Sequence, residues 1–257
     1  MECFKNYIQD EIENLISTGK ISSVEELNKV IGEEKFDITN PQYFTGNPES
    51  DLVLVHLIPK RNINDFNKPF EFDNFEEYYN YYKKFGKNKY GSLSNGTHKS
   101  PFDKKQVRFL KELNILPFTG DEMEDLEISI DEKLQLQLIP YGTTNFNYKE
   151  IPEDTIDLYI EKVLKGVLAY ERKYILFCGV VFRDSGYLNN YIVNKSIFRE
   201  RLLKKDGTPT KNKYEFINIK IKYKDQLINA AILPHYGIQG APIDEYGKFV
   251  YSNYGKY

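Results

Sequence analysis

Residues 51–61, Asp-Leu-Val-Leu-Val-His-Leu-Ile-Pro-Lys-Arg, constrain the fold more than any other stretch of the chain. Four consecutive leucines and valines with no polar alternate suit a strand buried on both faces, as in a parallel sheet covered by helices. Pro59 cannot donate to a sheet ladder and ends the pairing. His56 then stands at the carboxyl end of the strand, where open α/β sheets bind their ligands. Lys60 and Arg61 open the polar loop that follows.

The pattern repeats along the chain. Strands are expected at 134–139, 174–181 and 227–233, the last two also short apolar runs. Between them lie helical spacings: Phe75, Tyr78, Tyr79, Tyr82 and Phe85; then Val107, Leu110 and Leu113 behind the start signal Ser100-Pro101; then Ile156, Ile160, Val163, Leu164 and Val167. A helix is expected near 195–203 and a peripheral strand at 213–223. Residues 86–100 show no period and read as a mobile basic loop. At the N-terminus Phe4, Ile8, Ile12, Leu15 and Ile16 mark one helix, and Ser23-Val-Glu-Glu26 caps a second that Gly32 stops. Strands alternating with helices long enough to cross over predict a three-layer α/β/α sandwich on a central, mainly parallel four-stranded sheet. We read one domain, with 1–35 a helical extension and 36–257 the sandwich.

Composition excludes several classes. The chain has 257 residues, 40% hydrophobic and 28% charged, which is ordinary for a globular protein. No run approaches the roughly 18 apolar residues of a membrane helix. The N-terminus has no secretory pattern, and Cys3 and Cys178 form neither a disulfide framework nor a metal motif, so a cytoplasmic protein is expected, with no cofactor, no metal and no membrane partner. A net charge of -3 argues against a wholly basic nucleic-acid binder. Basic residues are nevertheless segregated, as Lys60/Arg61, Lys83/Lys84 with Lys87 and Lys89, His98/Lys99, Lys104/Lys105, and Arg199, Arg201, Lys204 and Lys205, so that one positive face can form.

Only three histidines are present, and two of them, His56 and His235, follow expected sheet strands directly. Either alone reads as a polar strand cap; the pair, on the ligand side of one sheet, reads as a site. The two stretches Asp-Leu-Val-Leu-Val-His-Leu-Ile-Pro-Lys (51–60) and Ala-Ile-Leu-Pro-His-Tyr-Gly-Ile-Gln-Gly (231–240) together resemble the first and last motifs of the uracil-DNA glycosylase superfamily. The resemblance covers the order of elements from about residue 44 to 250. It implies a four-stranded parallel sheet between helices, and an activity that flips a base out of DNA and hydrolyses its N-glycosidic bond. Four positions depart from the family pattern. Ile58 stands where the family places Asp, Asn or Glu to position the attacking water, His56 replaces the leading glycine, and Tyr236-Gly237 replaces Pro-Ser. Those departures point away from uracil and toward a modified or damaged base, of the kind found in foreign, phage-type DNA.

Cleaving that bond develops positive charge on the sugar and negative charge on the base, so the site needs a donor at the base and a polarised water or carboxylate at the sugar. By position His235 is the donor, while His56, Asn62 or Asp65 hold the water. Ile58 and Pro59 border the base. Phe70 or Phe72 form its aromatic floor, unless they are core, and Asn145 reads its edge, unless it is a turn residue. DNA contacts fall to Lys60, Arg61 and Tyr236, with Ile238 and Gln239 as the wedge where the base leaves. DNA is the expected partner, and a monomer the default. Two rivals share these residues: a non-catalytic DNA-binding or inhibitory protein on the same fold, and a small-molecule or nucleotide hydrolase that uses the strand-end histidines.

Overall fold

The computed structural model describes the chain except residues 1, 7, 32–34, 38, 60–67, 92–98, 145–146, 238–239 and 257. Its first half runs α1 (Glu2–Asn6), α2 (Gln9–Thr18), α3 (Ser22–Ile31), β1 (Phe44–Gly46), β2 (Leu52–His56), α4 (Phe75–Lys83), α5 (Pro101–Leu113) and α6 (Glu122–Asp131). The second half runs β3 (Leu134–Gln137), α7 (Glu153–Leu168), β4 (Tyr174–Cys178), α8 (Val181–Asp184), β5 (Ile192–Glu200), β6 (Tyr214–Tyr223), β7 (Gln226–Leu233) and α9 (Ile243–Asn253).

Among the described residues, one mixed sheet of seven strands, ordered β1-β3-β2-β4-β7-β6-β5, replaces the expected four. The four strands read from apolar runs are its contiguous parallel block, β3-β2-β4-β7, with β2 between β3 and β4. The additional strands are antiparallel and lie outside that block: β1 on β3, and β6 with β5 beyond β7. Residues 195–203, expected as a helix, belong mostly to β5, which pairs along its length with β6 from Ile192↔Ile221 to Glu200↔Tyr214. Its Ile192, Val193, Ile197 and Phe198 favour a strand, and the neighbouring ladder supplies backbone partners that local helical spacing cannot reveal. The 213–223 stretch is a strand, but β5 rather than β6 is outermost. β4 stops at Cys178, short of 181, because Gly179 turns the chain into α8.

Alternation along the strands sorts the core onto two sides of the sheet. Val53, Val55, Ile175 and Phe177 pack with α4 and α7. The N-terminal helices contribute Phe4, Ile12, Leu15, Val24 and Leu27 to that same cluster. Leu52, Leu54, Leu176 and Leu233 face the other way, against Phe109 and Leu113 of α5 and Tyr246 and Val250 of α9. Helices therefore cover both faces of the sheet. His56 follows Leu52 and Leu54 at a spacing of two, so its side chain falls on the α5 side.

α5 starts where the sequence signals it. Ser100 Oγ accepts from Asp103 N, Pro101 occupies the first turn, and Asn114 closes the helix in the left-handed conformation. α6, not expected from apolar spacing, is set by its cap: Asp121 accepts from the N–H groups of Met123 and Glu124, and three further carboxylates sit in its first turn. Within the loop expected over 86–100, Lys87–Gly91 form a single π-helical turn instead, and 92–98 lie outside the described residues. Among the described residues, no helix is long and apolar enough to cross a membrane.

Candidate functional site

β2 delivers His56 to the carboxyl edge of the sheet, and the chain leaves along Leu138 and Ile139, whose N–H groups donate to His56 O and Leu57 O. β7 delivers Pro234-His235-Tyr236 to the same edge. The two imidazoles meet there, with ring centroids 5.3 Å apart and planes 75° apart. Phe102, in the first turn of α5, stacks on His235 at 5.3 Å and 25°. The rings share the wall of a cavity of about 500 Å³, inside the 300–1,000 Å³ range of small-molecule sites. Ile58, Pro59, Phe85 and Ile130 form its apolar lining, and Gln42, Thr45, Asp103, Gln135 and Gln137 its polar one. A slightly larger groove of about 570 Å³ runs between Lys204–Gly207 and Gly240–Glu245 but holds neither histidine, so the chemistry favours the smaller cavity.

Hydrogen bonding assigns both histidine tautomers. Gly237 N donates to His235 Nδ1 at 3.1 Å, which makes Nδ1 an acceptor and leaves the neutral ring's proton on Nε2. Glycine is needed there, since a Cβ at 237 would stand 2.7 Å from that nitrogen. On the other side, Gln106 Nε2 donates to Ser129 O at 2.8 Å, and this carbonyl fixes the orientation of the amide. Tyr236 OH then donates to Gln106 Oε1 at 2.6 Å and has no second proton to give. At 3.4 Å from His56 Nε2, the phenol oxygen can only accept, so His56 is protonated on Nε2 and Nδ1 is its free lone pair.

Burial holds both rings neutral. The pKa of His56 lies well below the usual histidine value through burial first, then the proximity of His235 and Lys133. Burial, with Lys105 nearby, lowers that of His235. Unfolded histidine binds its proton near pH 6.5 and these folded rings bind it only below that, so their contribution to stability is intact above about pH 6.5 and is lost as the pH falls below it. The melting temperature should accordingly drop between about pH 7 and 5, and a His56→Phe variant should flatten that slope. A wild-type slope that is already flat would mean the rings are hydrated.

Among the described residues, the carboxylate at this cavity is Asp103, whose Oδ2 accepts from Lys89 Nζ at 2.7 Å and from Tyr90 OH. The sequence marks it only as a helix-start residue. Of the residues expected at the base, His56, His235, Ile58 and Pro59 line the cavity. Phe70 and Phe72 do not. They pack on Tyr78 of α4 at 6.0 and 5.5 Å, because the aromatic stripe of that helix offers a larger apolar surface, and Phe102 takes the place beside the histidines instead. Tyr236, expected on a DNA-facing surface, has no exposed area and serves the hydrogen-bond chain to His56. Asn62, Asp65, Lys60, Arg61, Asn145, Ile238 and Gln239 lie outside the described residues. Of the basic clusters, Lys89 lines the cavity and Lys105 Nζ holds Gly237 O at 2.9 Å, while Lys99 and Lys104 pair with Glu122 and Arg199 with Glu215.

Sequence reading missed the glutamines, although they carry a legible signal. In Leu134-Gln-Leu-Gln137 the leucines enter the core, and the alternate polar residues in a strand with neighbours on both sides must face something other than core. No protein-family model, curated protein or solved structure matches the chain.

Proposed function

We propose that the protein removes a base from DNA, hydrolysing the N-glycosidic bond of a nucleotide flipped into the cavity beside His56 and His235. The observation that carries this reading is the convergence of two neutral histidines of opposite hydrogen-bond sense on one cavity wall: His235 with a free Nε2–H, and His56 with a free Nδ1. When the bond from the sugar C1′ to the ring nitrogen breaks, its electron pair goes to the base, where the Nε2–H of His235 can meet the growing negative charge. Water oxygen bonds to C1′, and the proton it sheds is taken first by His56 Nδ1 and ends on the released base. Asp103 supplies negative potential toward the cationic sugar, and Phe102 a surface on which a base can stack. The block β3-β2-β4-β7 with helices on both faces supports a uracil-DNA glycosylase-like fold. Ile58 leaves the usual water-positioning place apolar, and the amide-rich wall offers hydrogen bonds to substituents that unmodified bases lack, which favours a modified or damaged base.

The test is direct. Duplex and single-stranded oligonucleotides carrying uracil, oxidised and alkylated bases, and hydroxymethylated or glucosylated cytosine are incubated with the protein. Free base is then sought by mass spectrometry and abasic sites by alkaline cleavage. Release from at least one modified substrate is expected. Cleavage of free nucleosides alone would assign a nucleotide hydrolase, tight salt-dependent DNA binding without release would assign a non-catalytic binder, and neither release nor binding would remove DNA from the reading.

A further inference from the structure

Lys133, Gln135 and Gln137 follow one another at a spacing of two, so their side chains share one face at β3. Gln135 and Gln137 line the cavity, and Lys133, with no exposed surface, reaches Gln135 Oε1 with its Nζ at 3.1 Å. A fully buried ammonium is normally held by a carboxylate, because desolvation penalises an unpaired charge heavily. Lys133 instead gives its hydrogen bond to a neutral amide and, among the described residues, forms no ion pair. The charged and titratable groups around it are Asp103 of α5, Asp131 at the end of α6, Cys178 of β4 and His56 of β2. Asp103 is already engaged by Lys89 and Tyr90, and Asp131 by the N–H groups of Gly86 and Lys87. Burial keeps Cys178 a thiol and His56 neutral.

A second, independent gap lies on the same face. Gln137 is 4% exposed, and its buried Oε1 has no hydrogen-bond partner among the described residues. A cation without a counter-charge, behind the cavity wall, and an acceptor without a donor, in that wall, thus stand in one row. Both are satisfied by the same kind of ligand, one that brings an N–H and carries or develops negative charge.

We propose that this row receives the leaving base: Gln137 turns its amide so that Oε1 accepts an N–H from it, Gln135 donates an amide N–H to it, and Lys133 positions the Gln135 amide while its charge stabilises the electron pair left on the ring. The inference deepens the base-release reading and rests on it. Because Nζ occupies Gln135 Oε1, the amide nitrogen of Gln135 is the end left for a ligand. The bases that fit present a donor and an acceptor along one edge, as an amino-pyrimidine or an imide does. Lys133 is a positioning residue, since the cavity is lined by the glutamines in front of it. Burial lowers its pKa to about 8, so the positive potential in the row fades as the pH rises through that value.

Two variants test the row, Lys133→Met and Gln135→Leu, in base-release kinetics across pH with melting curves alongside. Lys133→Met is expected to melt no lower than wild type, to lower kcat at least about tenfold with KM within about threefold, and to lose the decline in kcat that wild type shows above about pH 8. Gln135→Leu is expected to lose kcat similarly while keeping that alkaline decline. A Lys133→Met protein with wild-type kcat and pH profile overturns the inference. If Lys133→Met fails to fold, Gln135→Leu decides: full kcat overturns the inference, and a tenfold loss at an unchanged melting temperature upholds it. Should wild type release no base at all, the base-release reading fails and the row is judged by melting with cytosine and with uracil. A rise in wild type that Gln135→Leu abolishes keeps the row as a nucleobase site; no rise in wild type overturns it as well.

Discussion

His235→Ala should lower base release by at least about a hundredfold, the usual loss when one fixed donor to a developing anion is removed. The reason lies in the backbone. Gly237 N holds Nδ1 as an acceptor, so the Nε2 proton faces its partner without any reorganisation during the reaction. The lowered pKa of the ring matters equally: a charged imidazolium would have to give up the Gly237 hydrogen bond, because its Nδ1 would become a donor. His235→Gln, whose amide also donates, should recover part of the rate. His235 is only partly buried, so the melting temperature of either variant should stay close to that of wild type. Single-turnover release measured at substrate saturation separates this chemical loss from weaker DNA binding. A His235→Ala protein that releases base at the wild-type rate removes the imidazole from the chemistry.

The largest stability loss is expected at Gly46, the last residue of β1. Its φ is +86°, and a Cβ there would lie 2.0 Å from Lys133 O and 2.2 Å from Ile130 O. Both obstacles are backbone atoms, so no side chain can swing aside. The substitution Gly46→Ala combines a left-handed strain of about 1–3 kcal/mol with overpacking of about the same size. Together these reach about 3–5 kcal/mol, a large part of the roughly 5–15 kcal/mol that holds a typical domain folded. Urea unfolding would register this as a lowered midpoint at unchanged slope. A loss under about 1 kcal/mol would mean that β1 does not approach the start of β3 as closely as described. The strain would also reach the cavity, because Lys133 begins the glutamine row and Thr45, next to Gly46, lines the wall.

The parallel block was legible because its strands are buried on both faces, which leaves an unbroken apolar signature in runs such as Leu52–Val55 and Tyr174–Cys178. β5 was not. Most of its side chains are exposed, so its apolar spacing is sparse enough to pass for a helix, and only the pairing with β6 decides the matter. β1 is three residues long and shows no period at all. At the site, the histidines announced themselves by rarity and by position after buried strands. Phe102 did not, because nothing local distinguishes an aromatic residue that stacks on an imidazole at the sheet edge from one, like Phe70, that packs on Tyr78. Asp103 hid behind its capping role, and Lys133 behind the default that lysines are solvated.

The position of β2 has a consequence for how the site survives thermal opening. Its backbone is bonded on one side to β3 and on the other to β4, and all five of its residues are buried. Its amide protons should therefore be among the slowest in the protein to exchange with deuterated solvent, yielding only when the whole domain opens. Phe102 and Asp103, by contrast, sit in the first turn of α5, where helices fray first. The strand-borne and helix-borne parts of the cavity wall should thus exchange on separate clocks, with His56 anchored in a slowly exchanging strand while the start of α5 opens and recloses around whatever enters.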